Sequence, residues 1–326
     1  MTRRVGIFAV AIALVLVHGA SLTADAQTYP SRPVKIIVPT PAGGPVDVMA
    51  RLVANQLSPA LGQSVFIDNR GGAGNTLGSA EAARATPDGY TLLYSSASGL
   101  VIAPMLQKNA GYDPLKSYDP IAIVAATSNI LVVHPSMPAK SVKELVAYVK
   151  ANSGKVNFSS GGIGTLPHLI GEYFKAHAGL DVVHVPYRGG GPSIQDVVAG
   201  NIQYTFEGIS VLLPLIQDGR LRALAVTSPK RSALLPDVPT MIESGFADFQ
   251  STSWTGLLAP HGTPPDIIAK LNGAVNAALK TAEMKSALDK LAGDGLGGAP
   301  EELTKVIAAD IGKWGPIVKA LNLQTE

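Results

Sequence analysis

The sequence has 326 residues, of which 46% are hydrophobic and 15% charged, and its 26 Lys and Arg nearly balance 24 Asp and Glu. So even a charge distribution gives no electrostatic footprint for nucleic acid or an anionic membrane surface. Cysteine is absent, which excludes disulfides and thiolate metal sites.

Arg3 and Arg4 open the chain. The apolar run at residues 5–17 is too short to span a bilayer comfortably. Ala24-Asp25-Ala26 is an A-x-A cleavage site. The pattern predicts a cleavable secretory signal over residues 1–26, a mature start at Gln27 and a periplasmic destination. The remainder is long enough for two lobes, each with its own core, and holds no second apolar run of membrane-spanning length.

Residues 34–38 read as a buried parallel strand. A helix follows at 48–61, with Val48, Leu52, Val53 and Leu57 at core-facing spacing. Ala42, Gly43 and Gly44 lie between them, Pro45 suits a first helical position, and Asp47 sits where a carboxylate complements the helix dipole. Strand, glycine turn and helix N-terminus together make an anion site, although an ordinary tight turn has the same residues. Strands at 65–68 and 90–95 and a helix at 77–85 continue the alternation. They predict a parallel, doubly wound sheet with ligands beyond its carboxyl edge, where residues 40–47, 69–75 and 95–99 open. This places Ser95 and Ser96 at the site.

The apolar stretch 121–133 is broken by Thr127, Ser128 and Asn129. It reads as two short strands, with the chain crossing to a second lobe at the break. Ser141 and Glu144 form a capping box for a helix at 142–151. The second lobe then repeats the logic of the first. A strand at 156–159 leads through a Ser/Gly loop to Thr165, the N-cap of a helix at 166–178 that Gly179 stops. A strand at 182–186, a glycine turn at 188–192, and a strand at 202–206 ending on Glu207 and Gly208 come next. A short helix at 213–217 and a strand at 221–227 complete it. Residues 254–260 return the chain as a strand, before an amphipathic helix at 263–280, a loop at 293–300 and a helix at 301–321 interrupted near Gly315-Pro316. The expected lobes are 27–127 with 250–326, and 128–249.

Three glycine or threonine helix starts, at Gly43-Gly44-Pro45, Gly164-Thr165 and Gly190-Gly191-Pro192, are shared between the two lobes. Their loops offer backbone N–H groups to an anion held between them. One helix end contributes roughly 0.3–1 kcal/mol, up to about 2 when partly buried. A micromolar ligand needs about 8 kcal/mol, so several contacts must converge. GGAGNTLG (71–78) lacks dinucleotide-fingerprint spacing and context. The histidines at 134, 168, 177, 184 and 261 form no HExxH and no close helical pair, so no metal site is expected. His168, in the first turn of its helix, reads either as a binding or as a packed residue. No G-x-S-x-G elbow is present, and Ser96 and Ser98 read as pocket lining. Arg188 reads as a carboxylate partner or a solvated turn residue, and Trp254 as a cleft wall or hinge packing.

The opening segment YPSRPVKIIVPTPAGGPVDVMARLVANQL, with NFSSGGIGTLPHL, VVHVPYRGGGPSIQDVVAGNIQYTFEG, GRLRALAVTS, LPDVPTMIESGF and WTGLLAPHGTP in order, resembles the Bug, or TctC-type, solute receptors of tripartite tricarboxylate transporters. The resemblance implies an α/β, two-lobed type II periplasmic-binding-protein fold. Each lobe is then a mostly parallel sheet flanked by helices, with the ligand cleft between lobes. It implies a small organic acid held by backbone, hydroxyl groups and water, with no cofactor and no metal. The partners implied are the large and small membrane subunits of the transporter, with the receptor a monomer. The family's binding motifs carry onto Thr40, Ala42, Gly43, Gly44, Val46 and Asp47 in lobe one. In lobe two they carry onto Ser160, Gly161, Gly164, Thr165 and His168, and secondarily onto Tyr187, Asp196, Glu207 and Gly208. Thr40 stands where the family often has phenylalanine, Val46 where it has Ser or Thr, and Glu207 where it has aspartate, which leaves the ligand's identity open. Two competing readings are an exported α/β hydrolase using Ser96 or Ser98 with His168, and a ligand-sensing module that docks on a membrane sensor.

Overall fold

The computed structural model describes residues 29–72 and 75–323, so the expected signal segment lies outside the described residues. Strand β1 (Val34–Val38) alternates its side chains between two cores. Val34, Ile36 and Val38 face helices α1 (Pro45–Leu61) and α8 (Pro265–Ala278). Ile37 faces the opposite side, with Leu303 and Ile307 of α10 (Pro300–Ala320). Apolar residues on both faces are what a sheet covered on both sides requires. β1 pairs in parallel with β2 (Val65–Asn69) and β3 (Thr91–Ser96). β9 (Thr252–Pro260) then runs antiparallel to β3. Helix α2 (Thr76–Ala83) connects β2 to β3, and a π-helical turn at Ser98–Ile102 with the short α3 (Ala103–Leu106) follows β3.

The stretch expected as two strands is one 16-residue strand, β4 (Tyr118–Val133). Its polar residues do not end it, because the ladder changes partners there. Tyr118 to Ser128 pair with β9. Asn129 to Val133 run antiparallel to β7 (Tyr204–Gly208) on one side and β8 (Arg222–Val226) on the other. Thr227 and Asn129 exchange backbone and side-chain bonds, and Ser251 N–H donates to Thr227 O at 2.8 Å, closing the return to β9. These bonds pair backbone groups of Asn129, Thr227 and Ser251 at the switch, as a buried crossing demands.

In the second sheet β5 (Asn157–Ser160) is parallel to β6 (Val183–Pro186) and β7. Helices α4 (Val142–Ala151), α5 (Leu166–Ala178), α6 (Gly190–Val198) and α7 (Ile209–Gln217) cover it. α4 starts at Ser141 as expected, its Oγ accepting from Glu144 N–H at 3.2 Å.

Three local expectations are corrected. α9 (Ala282–Lys290) had only Met284 and Leu288 as an apolar stripe, too sparse to mark a helix in sequence. β10 (Gly293–Gly295), expected as loop, pairs with Ala125 to Thr127 of β4, where Gly293 lets the backbone fit close against Thr127. α10 runs unbroken past Pro316, since Trp314 and Val318 on either side of the proline are both anchored in a core. That core belongs to the second sheet, alongside Phe158, Phe174 and Phe206. α10 therefore braces both lobes.

Candidate ligand-binding site

A cavity of about 590 Å³ lies between the two sheets. Its floor is the crossing itself: Ala125, Thr127 and Asn129 of β4, with Ser253 and Thr255 of β9. Period-2 alternation puts the intervening residues Ala126, Ser128 and Thr252 on the opposite face. There they line a second, rear cavity of about 700 Å³. Trp254 borders both, and its Nε1 donates to Asp310 of α10 at 2.7 Å. It is both cleft wall and hinge packing.

The first lobe supplies Val46 and Met49 of α1, Asn75 ahead of α2, and Ser96 and Ser98 at the end of β3. No side chain caps α1, whose N-cap is Gly44. The loop before it is locked from within. Asp47 is buried and accepts from Gly43 N–H at 2.8 Å, Asn69 Nδ2 at 2.9 Å and Arg51 Nε at 3.0 Å. Burial alone would raise its pKa. The bonds from Arg51, Gly43 and Asn69 outweigh that and hold it below the usual value. Gly43, at φ +86°, adopts a conformation that favours glycine. Its N–H, expected to face a ligand, is thus committed to Asp47, and Arg51 supplies a nearby basic group the sequence reading did not foresee.

The second lobe supplies Gly164, Thr165, Leu166 and Pro167 at the start of α5, and Glu207, Gly208 and Ser210 between β7 and α7. Thr165 caps α5 as expected, accepting from His168 N–H at 3.4 Å. His168 is buried, its Nδ1 accepts from Gly164 N–H at 3.1 Å, and its ring stacks on His184 at 4.0 Å. Burial, with a smaller effect of Lys175, pushes its pKa down to about 4. Burial first, then His168 and Lys175, push His184 down to about 3. His184 Nε2 meets Ser160 Oγ at 2.8 Å. These three residues form a neutral platform beneath the 160–168 loop. His168 is engaged by Gly164 and His184 and does not join Ser96 and Ser98 in the cavity wall, so the structure does not bring together the group that the hydrolase reading requires.

Of the sequence-derived site residues, Val46, Ser96, Gly164, Thr165, Glu207 and Gly208 line the cavity. Thr40, Ala42, Gly43, Gly44, Asp47, Ser95, Ser160, Gly161, His168 and Tyr187 do not. Thr40 Oγ1 and Ser95 Oγ are buried without a hydrogen-bond partner. Gly161 permits close backbone approach, since a Cβ there would meet Gly190 N at 2.9 Å. Tyr187 binds Asp196 and fixes the turn ahead of α6. Arg188 is exposed. Sequence reasoning placed Asn75 only within a loop on the ligand edge and did not assign Thr127, Asn129, Ser253 and Thr255 to the site. The polar break in an otherwise apolar strand was the signal for two of them. Among the described residues lining the cavity, Glu207 is the one titratable side chain, and no Lys or Arg is present. Burial pushes Glu207 up to about 7, opposed only by a bond from Gly208 N–H. Among the described residues no group of three or more His, Asp or Glu converges to hold a metal, and no helix is long and apolar enough to cross a membrane.

The family model described as "Tripartite tricarboxylate transporter family receptor" (TctC) matches residues 49–323. Protein BugT of Bordetella pertussis is 36% identical over 320 residues, spanning 98% of this chain and 97% of BugT. The solved structure of Rpa4515 from R. palustris with adipate is 32% identical at a TM-score of 0.75, covering 89% of this chain and 97% of that one. MatC from Rhodopseudomonas palustris with bound malate is 32% identical at a TM-score of 0.73, covering 89% and 100%. With coverage on that scale and a two-lobed fold around one inter-lobe cavity, this chain belongs to the TctC family of tripartite tricarboxylate transporter receptors, the periplasmic solute-binding proteins that include the Bug proteins.

Proposed function

We propose that this chain captures a small carboxylate-bearing molecule in the cavity between its lobes and delivers it to the large and small membrane subunits of a tripartite tricarboxylate transporter. It acts as a monomer in the periplasm after removal of residues 1–26, and it binds rather than transforms its ligand. One observation carries the reading. The cavity is built from both lobes over a shared crossing strand, and polar uncharged side chains and the starts of α1 and α5 share its wall with apolar residues and Glu207. Hydroxyl and amide donors and helix N-termini suit an anion without demanding an arginine clamp. Relatives solved with adipate and with malate support an aliphatic dicarboxylate as the ligand class. About 590 Å³ suits such an acid together with bridging water.

In this reading Val46, Ser96, Asn129, Thr165 and Glu207 touch the ligand. Asp47, Ser160, Gly161, His168 and Tyr187 hold the loops that present them. A thermal-shift screen with malate, adipate, succinate, benzoate and glutamate, followed by calorimetry, tests it. A true ligand at 100 times its Kd stabilises by about 2.7 kcal/mol. Stabilisation by none of the acids, or turnover of ester or amide substrates, overturns the reading.

A further inference from the structure

A carboxylate entering the inter-lobe cavity meets another carboxyl group already there. Glu207 closes β7 at the cavity wall, and its Oε1 lies against the start of α6, where a Cβ on Gly190 would approach it to 3.2 Å. No basic side chain lines the cavity to compensate a second negative charge. The nearest neighbours of β7 supply none either. The adjoining stretches of β4, β5 and α7 contain no titratable side chain.

On α5, Glu172 pairs with Lys175 at 3.5 Å, His168 stacks on His184, and Tyr173 lies against His177. On α6, Asp196 accepts from Tyr187 and from Asn201 Nδ2. Arg188, in the preceding turn, is exposed. None of these groups contributes to the state of Glu207. Burial dominates and disfavours its charged form.

We propose that Glu207 binds a proton when the cavity captures a carboxylate, and that the resulting neutral acid donates a hydrogen bond to the ligand. The overall step takes one proton from solvent per ligand whenever Glu207 starts ionised, and no bond between heavy atoms changes. Two adjacent carboxylates cannot both stay ionised in a site without a cation, whereas one shared proton turns the repulsion into a charge-assisted bond. The burial that disfavours the glutamate charge at about pH 7 in the empty cavity makes that proton readily available. An ammonium-bearing ligand would require the ionised form instead, so the residue selects acids over zwitterions. The inference rests on the carboxylate reading above.

The test is calorimetry between pH 5.5 and 8.5 with malate and adipate, and with glutamate as the zwitterionic control. With the intact protein, Kd holds steady below about pH 6. It then rises about tenfold per pH unit once Glu207 ionises, because only the protonated form binds. Buffers of different ionisation heat report uptake of about one proton per ligand at pH 8. The amide of Glu207→Gln donates at every pH, so in that variant both the slope and the proton uptake disappear.

A flat profile in the intact protein, or a slope that survives in Glu207→Gln, overturns the proposal while leaving the receptor reading intact. So does glutamate binding that depends on an ionised Glu207. If none of the screened acids binds at any pH, the receptor reading itself fails. In that case carbon NMR of labelled glutamate, assigned through Glu207→Gln, still decides the protonation claim. A titration midpoint below pH 5.5 in the empty protein overturns it.

Discussion

Asp47 illustrates how a residue can belong to a site's motif and yet serve it from behind. In sequence it reads as a first-turn carboxylate beside an anion-binding helix start. In the structure it faces inward and ties Gly43, Asn69 and Arg51 together. The residue type and position were legible, but the direction was not, because it depends on the left-handed backbone at Gly43. Asp47→Ala leaves Gly43 and Asn69 without their acceptor and should cost about 2 kcal/mol in denaturant unfolding, together with most of the ligand affinity. Thr165 is the opposite case, since an N-cap is specified within four residues and was readable in full.

The buried His168 and half-buried His184 make a pH prediction. Their folded-state pKa values lie below the unfolded one, so below about pH 6.5 the unfolded chain binds two protons that the folded chain refuses. Glu207 is raised, so above the ordinary glutamate value of 4.5 the folded chain keeps one proton that the unfolded chain releases. The two effects oppose, and between about pH 4.5 and 6.5 the net is one proton more on the unfolded state. Stability of the empty protein should therefore rise with pH across this window, by less than the roughly 1.4 kcal/mol per unit of a full proton, because His184 is partly exposed and the raised Asp310 opposes the histidines. In Glu207→Gln the slope should steepen. Urea titrations at several pH values check both, and a slope of opposite sign would mean the histidine pair is charged in the fold.

The elements that sequence identified well are those whose signals are local. Helices α4 and α5 carry N-capping side chains, α1 opens on a glycine turn with a proline at its start, and all three have clear apolar stripes. β1 announces itself as an apolar run. β10, α9 and the unity of β4 depended on partners distant in sequence, which no window of neighbouring residues contains. The polar residues Thr127 to Asn129 are a break by local pattern but a crossing once β7, β8 and β9 are in place.

Contacts between elements likewise explain glycines that a binding motif alone would misattribute. Gly161 brings the 160–164 loop against the start of α6, with Gly190 N only 2.9 Å from where a Cβ would lie. Gly161→Ala must push the two apart, which displaces the loop carrying Gly164 and Thr165. Ligand affinity should fall at least tenfold in calorimetry, while overpacking costs stability about 1–3 kcal/mol. Unchanged affinity would separate this loop from the site.

At the scale of the whole molecule, the chain passes between lobes within β4 and again between Thr227 and Thr252, and α10 lies across both cores. The two cavities occupy opposite faces of this crossing. Trp254, bonded to Asp310, stands between them. Ile163 and Val211 stand 63% and 53% exposed at the front, apolar surface that closure would cover. Small-angle scattering should accordingly show a smaller radius of gyration with saturating ligand, and an unchanged radius would argue for a rigid cleft.

The lobed architecture and its cleft were legible because family resemblance ran through many loops at once. The chemistry of the cavity was not, because the absence of cations and the isolation of Glu207 emerge only when residues from both lobes face each other. The most direct measurement of the account is a crystal structure with the strongest acid from the ligand screen. The ligand carboxylate should lie in the front cavity within about 3.2 Å of N–H and hydroxyl donors at the starts of α1 and α5, with no Lys or Arg in contact. A ligand seated in the rear cavity, or a carboxylate clamped by Arg51 or Arg188, would contradict it.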